Sequence, residues 1–380
     1  MEQGKSPDIT PPQSLRMRFL RWRNGILSSR RFQRHAARNP LLRPIARKRA
    51  SALFDLVAGF TYTQTLLAFV ESGLLDLLSQ GPAASEAISK HTALPAEGAH
   101  RLLRAAAAID LVEEGAPDWW VLGRHGAALS GNNGALAMIR HHRILYSDLA
   151  DPMALLKDAD RTGTELASFW AYSADTAPDL ESPASAYSQL MAESQSAVVE
   201  EVLAAFPFRR HSFLLDIGGG NGTFLRAVAK AYPHLRLGLF DLPRVVTLAR
   251  ERFASEGTSH PPTFHEGSFF SDPIPAGYDC VSLVRILHDH DDEPALQLLA
   301  NIRKALVPGA QLLIAEPMAE TRGAEGMGDA YFGLYLWAMG SGRPRSAAEI
   351  RHMLEQTGFT KSRIVRTDQP LITSLIVATA

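Results

Sequence analysis

The stretch SFLLDIGGGNGTFLRAVAKAYP, residues 212–233, decides the fold. An apolar run ends at Asp216, a glycine-rich loop follows at 218–222, and apolar residues then recur at helical spacing. Glycine permits tight turns and lets a ligand approach the backbone closely. A strand, a glycine loop and a helix in this order are typical of a nucleotide-type site at the carboxyl end of a sheet. The stretch therefore predicts an α/β domain whose ligand lies at this loop.

The spacing of the glycines narrows the class of ligand. The dinucleotide pattern Gly-x-Gly-x-x-Gly would require Gly or Ala at Thr223, and the loop lacks the lysine of a phosphate-binding Walker motif. The spacing of Gly218, Gly220 and Gly222 instead resembles motif I of the class I S-adenosylmethionine (SAM) methyltransferases. This resemblance implies that SAM binds here as a cosubstrate, with Asp216 and the three glycines among its contacts.

Two further landmarks follow the loop. Asp241 ends the next predicted strand, where a carboxylate can bind both ribose hydroxyls of NAD or of SAM; a solvated loop aspartate is the alternative. HEGSFFSDPIP, residues 265–275, resembles the Gly-Asp-x-Phe stretch that flanks adenine in SAM methyltransferases. The resemblance assigns Ser268 and Phe269 to the adenine site, with a hydroxyl at Ser268 where the family often has a carboxylate.

The stretch SLVRILHDHDDE, residues 282–293, changes abruptly from apolar to titratable residues. It is open to three interpretations: a metal site, a solvated loop, or the site of a catalytic base. His288 and His290 could bind zinc, but adjacent positions alternate in direction and the sequence offers no separate third-ligand motif, so no metal is expected. Residues 291–293 suit the first turn of a helix, where acids favour the dipole. Since an imidazole titrates near neutral pH, His288 is the candidate base.

The same stretch resembles the WILHDWSDE motif of the plant-type small-molecule O-methyltransferases and their bacterial relatives. The resemblance extends over residues 50–380 and includes AEP at 315–317. It implies that His288 is the general base and that Glu316 is one of two glutamates that orient it. The second glutamate would fall at Pro344, so another carboxylate, such as that of Asp329, would have to replace it. Arg285 replaces a family aromatic residue and either reaches the SAM carboxylate or anchors the strand end. Asp289 is assigned to loop geometry and His290 to the loop surface.

The order of elements predicts the fold of residues 212–380, the SAM-binding catalytic domain. They form a Rossmann-like α/β sheet, mostly parallel with an antiparallel C-terminal strand. Strands are predicted near 212–217, 235–240, 279–284, 310–315, 361–366 and 371–378.

The preceding chain divides into three parts. Residues 1–49 comprise a disordered start and a basic amphipathic arm, and residues 151–211 are a helical linker that lines the substrate site. Residues 50–150 form helices followed by a hairpin or wing at DWWVLGRHGAAL, 118–129. The family resemblance implies that this winged-helix-like domain forms a homodimer. A DNA-binding role is not expected, because the presumed recognition helix lacks the basic face that phosphate contacts require.

Charge is distributed very unevenly along the chain. Residues 15–54 carry twelve Lys or Arg and no Asp or Glu, whereas residues 55–380 hold 26 basic and 38 acidic side chains. Leu15, Phe19, Trp22 and Ile26 form one apolar stripe of a helix flanked by arginines. The arm, residues 15–49, thus suits an interfacial helix on an anionic membrane, with packing on its own body or on a second subunit as the alternative.

The remaining composition predicts a cytoplasmic protein, peripheral on the inner face of the cell membrane. A single cysteine, Cys280, excludes an internal disulfide framework and fits a reducing compartment. The N-terminus lacks the apolar core of a signal sequence. We expect no apolar run to approach the roughly 20 residues needed to span a bilayer.

One branch of the family is especially similar. RFQRHAARNPLLRPIARKRASALFDLVAGFTYTQ, residues 31–64, resembles the carotenoid O-methyltransferases of bacterial spheroidene and spirilloxanthin synthesis. That resemblance implies methyl transfer to the tertiary 1-hydroxy group of an acyclic carotenoid. The stretches SFWAY (168–172), MAESQ (191–195) and GDAYFGLYLWAMGSGRP (328–344) would line an apolar pocket or form ordinary core. The alternatives are O- or C-methylation of a phenol, polyketide or tetrapyrrole, or a SAM-binding winged-helix regulator.

Overall fold

Three helices begin the chain in the computed structural model, which describes residues 14–169, 195–256 and 261–380. They are α1 (Leu15–Ser28), α2 (Arg30–Arg38) and α3 (Arg43–Glu71). Serine side chains cap α1 and α2 by accepting hydrogen bonds from backbone N–H groups of the first turn. Helix α3 continues without a break across the predicted boundary at 49/50, and the four-part division of the chain stays a prediction.

Helix α3 leaves a large apolar surface uncovered. The side chains of Leu53, Phe54, Leu56, Val57 and Phe60 are between 63% and 81% exposed. By length and composition, α3 is the one helix of the described residues that is apolar enough to cross a membrane, with 17% of its apolar window buried. The expectation that no apolar run approaches the roughly 20 residues needed to span a bilayer is therefore corrected for α3. The basic residues of α3 cluster in its first two turns, and the rest of the helix is nearly uncharged.

A small winged domain follows α3. Its helices are α4 (Leu74–Ser79), α5 (Ser85–Thr92), α6 (Ala96–Ala108), α7 (Arg124–Leu129) and α8 (Asn133–Asp148), and its strands are β1 (Ala83–Ala84), β2 (Val112–Ala116) and β3 (Trp119–Leu122). The strands pair antiparallel in the order β1-β3-β2. The predicted wing is corrected in detail: β3 pairs with β2, and residues 124–129 are helical. Gly126 allows this, because a Cβ there would lie 2.1 Å from the Leu111 carbonyl oxygen.

The catalytic domain is built on a seven-stranded sheet in the order β6-β5-β4-β7-β8-β10-β9. Its strands are β4 (Phe213–Ile217), β5 (Arg236–Asp241), β6 (Thr263–Glu266), β7 (Cys280–Val284), β8 (Gln311–Glu316), β9 (Lys361–Val365) and β10 (Ser374–Thr379). The direction of β10 is opposite to that of the other six strands of this sheet. The predicted α/β class is confirmed; β6, a half-buried edge strand, was not predicted.

Helices cover both faces of this sheet. They are α11 (195–205), α12 (Thr223–Ala231), α13 (Pro243–Ser255), α14 (Asp292–Ala305) and α16 (Ala347–Gln356), whereas α15 (Phe332–Met339) packs elsewhere. Two apolar cores form, one on each face, so successive residues of β4 such as Leu214 and Leu215 belong to different cores. The strand order reverses at β4 and β7, and a crevice at this point is where open α/β sheets bind ligands.

A further apolar cluster joins the two domains. Two short helices, α9 (Pro152–Lys157) and α10 (Glu165–Phe169), follow α8. Leu145 of α8, Leu155 and Leu166 pack against Phe332 and Leu336 of α15. The last helix of the winged domain is thereby attached to the catalytic domain.

Candidate active site

The glycine loop lies at the carboxyl end of β4. Gly220 and Gly222 have φ angles of +57° and +80°, in the left-handed region that disfavours other residues. A Cβ at Gly222 would lie 2.4 Å from the Phe253 ring, whereas a Cβ at Gly220 would meet no atom within 4 Å. Gly222 thus permits close packing against α13, while Gly220 faces open space above the loop.

Two buried carboxylates flank this loop. Asp216 on β4 accepts a hydrogen bond from the Ser282 hydroxyl at 2.6 Å. Asp241 on β5 accepts hydrogen bonds from the backbone N–H groups of Gly220 and Leu242, at 2.8 and 2.7 Å. Burial raises the pKa of Asp216 to about 7 and that of Asp241 to about 6. The two predicted carboxylates therefore lie at one edge of the sheet. Each is protonated at a higher pH than an ordinary aspartate.

The predicted adenine loop follows β6. The backbone N–H of Ser268 donates to Asp272 Oδ2 at 2.7 Å, and the Ser268 hydroxyl accepts from the Phe270 N–H at 3.3 Å. Phe269 and Phe270 pack edge to face, and the His290 ring packs against both at 5.5 and 5.0 Å. His290, assigned to the loop surface from sequence, instead connects the adenine loop to the histidine turn.

His288 lies in a single 3₁₀ turn, Leu287–Asp289, directly after β7. Its side chain is buried, and its ring stacks on Phe332 with the centroids 5.5 Å apart. Its Nε2 lies 3.1 Å from Asp289 Oδ1. Its Nδ1 has no hydrogen-bond partner among the residues that the structure describes. One ring nitrogen is thus engaged by a carboxylate, and the other is buried beside an aromatic ring.

Glu316 ends β8 beneath this turn. Its Oε2 accepts a hydrogen bond from the His288 backbone N–H at 3.1 Å, and its Oε1 is unpartnered within the described ranges. Burial raises the pKa of Glu316, an effect opposed first by the His288 imidazole and then by the Arg345 guanidinium. Glu316 therefore holds the backbone of His288, while a different carboxylate contacts its ring.

The replacement for the missing second glutamate is not Asp329. Asp329 is exposed, and its Oδ2 accepts from the Glu320 backbone N–H at 3.0 Å. The carboxylate beside the imidazole is that of Asp289, which sequence analysis assigned to loop geometry. The only sequence signal was its position directly after His288, because a tight turn brings neighbouring side chains together.

Arg285 lies at the end of β7 in an unusual conformation. Its φ is +59°, and its backbone N–H donates to the Ala315 carbonyl at 2.8 Å. Its positive charge opposes the rise in pKa that burial causes for Tyr331 and Tyr335. The Arg285 side chain thus acts electrostatically on Tyr331, which precedes α15, and on Tyr335 within it, an interaction that neither sequence interpretation anticipated.

Two histidines of α8 reach the same region from the winged domain. His141 Nε2 lies 3.0 Å from the Tyr335 hydroxyl, and His142 Nε2 lies 2.8 Å from the Tyr331 hydroxyl. Burial lowers the pKa of His141 to about 4, so its ring is neutral near pH 7. These histidines were missed from sequence; the available signal was two consecutive histidines, of which His141 is buried although it lies between two arginines along α8.

The structure also tests the predictions for the acids that follow His290, for a metal site and for the pocket stretches. Asp292 and Glu293 occupy the first turn of α14, as predicted, and Asp291 also pairs with Arg161 at 2.7 Å. No cluster of three His, Cys, Asp or Glu residues suited to a metal occurs in the part of the chain that the structure describes. Of the proposed pocket stretches, 170–172 and 191–194 lie outside the described residues, and five of the 17 residues in 328–344 belong to the hydrophobic core.

Comparison with known proteins gives the family. Residues 146–360 match the O-methyltransferase domain, and residues 54–124 match the O-methyltransferase dimerisation domain. Demethylspheroidene O-methyltransferase of Rhodobacter capsulatus is 42% identical over 98% of this chain and 92% of that protein. The enzyme of the same name from Cereibacter sphaeroides is 41% identical over 97% of each chain.

Solved structures agree on the fold. Human N-acetylserotonin methyltransferase in complex with SAM superposes with a TM-score of 0.72 at 24% identity, covering 87% of this chain and 97% of that one. The structure of LaPhzM gives a TM-score of 0.70 at 25% identity over 87% and 98% of the two chains. The chain therefore belongs to the plant-type class I O-methyltransferase family and is a SAM-dependent O-methyltransferase.

Proposed function

We propose that this enzyme methylates the tertiary 1-hydroxy group of an acyclic carotenoid and that His288 is its general base. The assignment of His288 as the base rests on its buried imidazole. Its Nε2 lies 3.1 Å from Asp289 Oδ1, and its Nδ1 is unpartnered within the described ranges. The turn that holds it follows β7, the neighbour of the glycine-loop strand, so cosubstrate and base would share one crevice.

The residues at the glycine loop suit SAM. Gly220 leaves open space for a ligand, and Asp241 presents a carboxylate beside it for ribose hydroxyls. We propose that Asp216, Gly218, Gly220, Gly222 and Asp241 hold the nucleoside and amino acid parts. Ser268 and Phe269 would flank adenine, and Arg285 would favour the SAM carboxylate electrostatically. When bound, SAM supplies an electrophilic methyl group, whose bond to sulfur breaks as the bond to the substrate oxygen forms.

The chain's contribution to the chemistry is positioning and proton transfer. His288 accepts the hydroxyl proton onto an imidazole nitrogen, and the Asp289 carboxylate stabilises the imidazolium that results. A tertiary alcohol is far less acidic than a phenol, so we propose that proton transfer accompanies methyl transfer and does not precede it. Glu316 keeps the His288 backbone in place through its accepted N–H bond.

Three observations support an apolar, elongated substrate. Phe332 stacks on the His288 ring, so an aromatic face lies next to the proposed base. The hydroxyls of Tyr331 and Tyr335 are engaged by His142 and His141, so these two polar groups are already hydrogen-bonded within the protein. The two similar bacterial enzymes are named for demethylspheroidene, a carotenoid.

A methyl-transfer assay with labelled SAM tests the substrate. The protein is incubated with an extract rich in 1-hydroxy acyclic carotenoids and, separately, with a catechol. Label in a 1-methoxy carotenoid supports the proposal. Label in the catechol alone refutes the carotenoid and retains a phenol as substrate. Absence of label in both, with SAM bound, would favour another substrate or a regulatory role.

SAM affinity should depend on pH through the two buried aspartates. Their folded-state pKa values of about 7 and about 6 lie above those of aspartates in an unfolded chain. The protonated carboxyls therefore stabilise the ligand-free fold at low pH, and this stabilisation is lost as pH rises through the folded-state pKa values. SAM is cationic and favours the ionised carboxylates, so its binding should strengthen in the same interval. Calorimetry at pH 8 and pH 5.5 should show about tenfold tighter binding at pH 8. Equal affinities at both values would contradict this.

We also propose that the arm, residues 15–49, places the enzyme on the inner face of the cell membrane and that the winged domain forms a homodimer. The matched dimerisation domain supports the homodimer. In α1 the side chains of Leu15, Phe19 and Trp22 are 82%, 55% and 63% exposed, and arginines flank them. A basic helix with an exposed aromatic stripe suits an anionic lipid surface.

Replacing Phe19 and Trp22 together by serine should weaken binding to vesicles of phosphatidylcholine and phosphatidylglycerol. We expect a loss of about 100-fold or more, because burial of each aromatic side chain contributes about 1.5–3 kcal/mol, or about 3–6 kcal/mol for the pair. Sedimentation with vesicles measures it. Trp119→Ser is the matched control, since Trp119 is 50% exposed on the wing and outside the arm. Unchanged binding of the double variant would indicate that the arm packs on protein.

A further inference from the structure

The turn that carries His288 is held by a row of donors from one distant segment, residues 341–345, here called the clamp. The carbonyls of four consecutive residues each accept one of its hydrogen bonds. Leu287 accepts from Arg345 Nη1 at 2.9 Å, and His288 accepts from the Arg343 backbone N–H at 3.0 Å. Asp289 accepts from the Ser341 hydroxyl at 2.5 Å, and His290 accepts from Arg345 Nη2 at 2.7 Å.

Arg345 contributes the two outer bonds of this row. Its guanidinium is fully buried, and it also donates from Nε and Nη2 to Asp292 Oδ1, at 3.0 and 2.8 Å. One rigid group thereby joins the first and last carbonyls of the turn to the start of α14. Gly342 brings the clamp close, since a Cβ there would lie 2.1 Å from the His288 carbonyl oxygen.

We propose that Arg345 is a positioning residue for His288, which it serves by fixing the backbone on both sides of the imidazole. This inference rests on the proposed role of His288 as the general base. Rate enhancement by a positioned group falls steeply with small displacements, so the loss of a backbone anchor lowers turnover without removing a reacting group. Glu316 holds the His288 N–H from the opposite side, and the Arg343 N–H and the Ser341 hydroxyl complete the anchoring of the turn.

The geometry requires arginine and not merely a positive charge. A planar guanidinium directs several N–H donors outward in fixed directions, whereas a lysine ammonium is a compact charge on a flexible chain. A lysine at 345 cannot reach Leu287, His290 and Asp292 simultaneously in this arrangement. Arg345→Lys therefore keeps the buried charge beside Asp292 while loosening the turn.

We expect Arg345→Lys to lower kcat about 10- to 100-fold, the range that a misplaced catalytic group produces. The KM for SAM and the thermal unfolding midpoint should change little in comparison. Arg303→Lys is the matched control, because Arg303 also bonds two backbone carbonyls, those of Gly358 and Leu306, at 2.8 and 3.3 Å. That bridge lies away from the histidine turn, so kcat should be unaffected.

A double-mutant cycle separates positioning from general structural support. If Arg345 acts through His288, Arg345→Lys should cause almost no further loss of kcat in a His288→Ala background. An equal loss in both backgrounds would overturn the inference, as would wild-type kcat for Arg345→Lys. Should Arg345→Lys fail to fold, Ser341→Ala removes another bond of the row without disturbing a buried charge, and it should show the same non-additivity with a smaller loss. If His288→Ala alone keeps wild-type turnover, the proposed base is wrong, a result distinct from failure of the clamp.

Discussion

Replacing His288 by alanine is expected to lower kcat about 10²–10⁴-fold, the usual contribution of a general base. The contacts of the side chain are compatible with the proposed role. The His288 residue is 2% exposed, one ring nitrogen faces Asp289, and the other has no partner within the described ranges. Because the tertiary hydroxyl of the proposed substrate is a poor nucleophile until its proton departs, loss of the acceptor should affect turnover and not SAM binding. Single-turnover methyl transfer and SAM calorimetry on the same preparation measure the two effects separately.

His211→Ala provides the matched control for this variant. His211 precedes β4 at the amino end of the strand, and its Nδ1 lies 3.5 Å from Asp279 Oδ1, so it is also a shielded histidine beside an aspartate. Its removal should leave kcat close to that of the parent enzyme. Turnover of His288→Ala within about twofold of the parent enzyme, with SAM still bound, would mean that proton acceptance lies elsewhere.

Gly220→Val should abolish most SAM binding while the protein stays folded. An added Cβ meets no protein atom within 4 Å, so the larger side chain fills the open space above the loop and collides with the ligand only. Overpacking of this kind costs about 1–3 kcal/mol, which corresponds to roughly 5- to 150-fold weaker binding. The dissociation constant from calorimetry is the measurement, with circular dichroism to verify the fold.

A glycine in a comparable conformation controls for backbone strain. Gly309 has a φ of +87° and also has no atom near an added Cβ, but it lies in the turn before β8, away from the glycine loop. Gly309→Val should therefore show a similar loss of stability and no loss of SAM affinity. If the two variants lowered SAM affinity equally, strain would explain the effect and SAM would not lie over Gly220.

The candidate site divides into features that sequence predicted and features that it did not. The glycine loop, Asp241 and His288 were predicted because each lies at the end of a strand within a short contiguous motif. The carboxyl ends of neighbouring parallel strands must meet at one edge, so their convergence follows from the fold class. The wing was predicted only in outline, because close approach of Gly126 to the Leu111 backbone is a tertiary requirement that ended β3 and began α7.

Local sequence patterns did not predict the contacts around His288. The contact of Asp289 with the imidazole depends on side-chain directions in a 3₁₀ turn, which the dipeptide alone does not specify. Asp329 was a reasonable substitute for the absent glutamate in sequence, yet it bonds the Glu320 backbone at the surface. Arg345 lies more than 50 positions from the carbonyls that it binds, and only the packing of two loops at one edge of the sheet brings them together.

The sequence by itself therefore determined the parallel sheet, its glycine loop and the identity of the candidate base, since periodicity and strand-end motifs act over neighbouring residues. Tertiary structure alone decided which carboxylate faces the imidazole, which arginine holds its turn, and which histidines of α8 reach Tyr331 and Tyr335. The arginine and tyrosine pairings join segments far apart in the chain, and their geometry is set by how whole elements pack. The Asp289 contact joins neighbours, and the 3₁₀ turn sets its geometry. A hydrogen bond requires atoms within about 3 Å of each other, and only the folded chain provides that proximity.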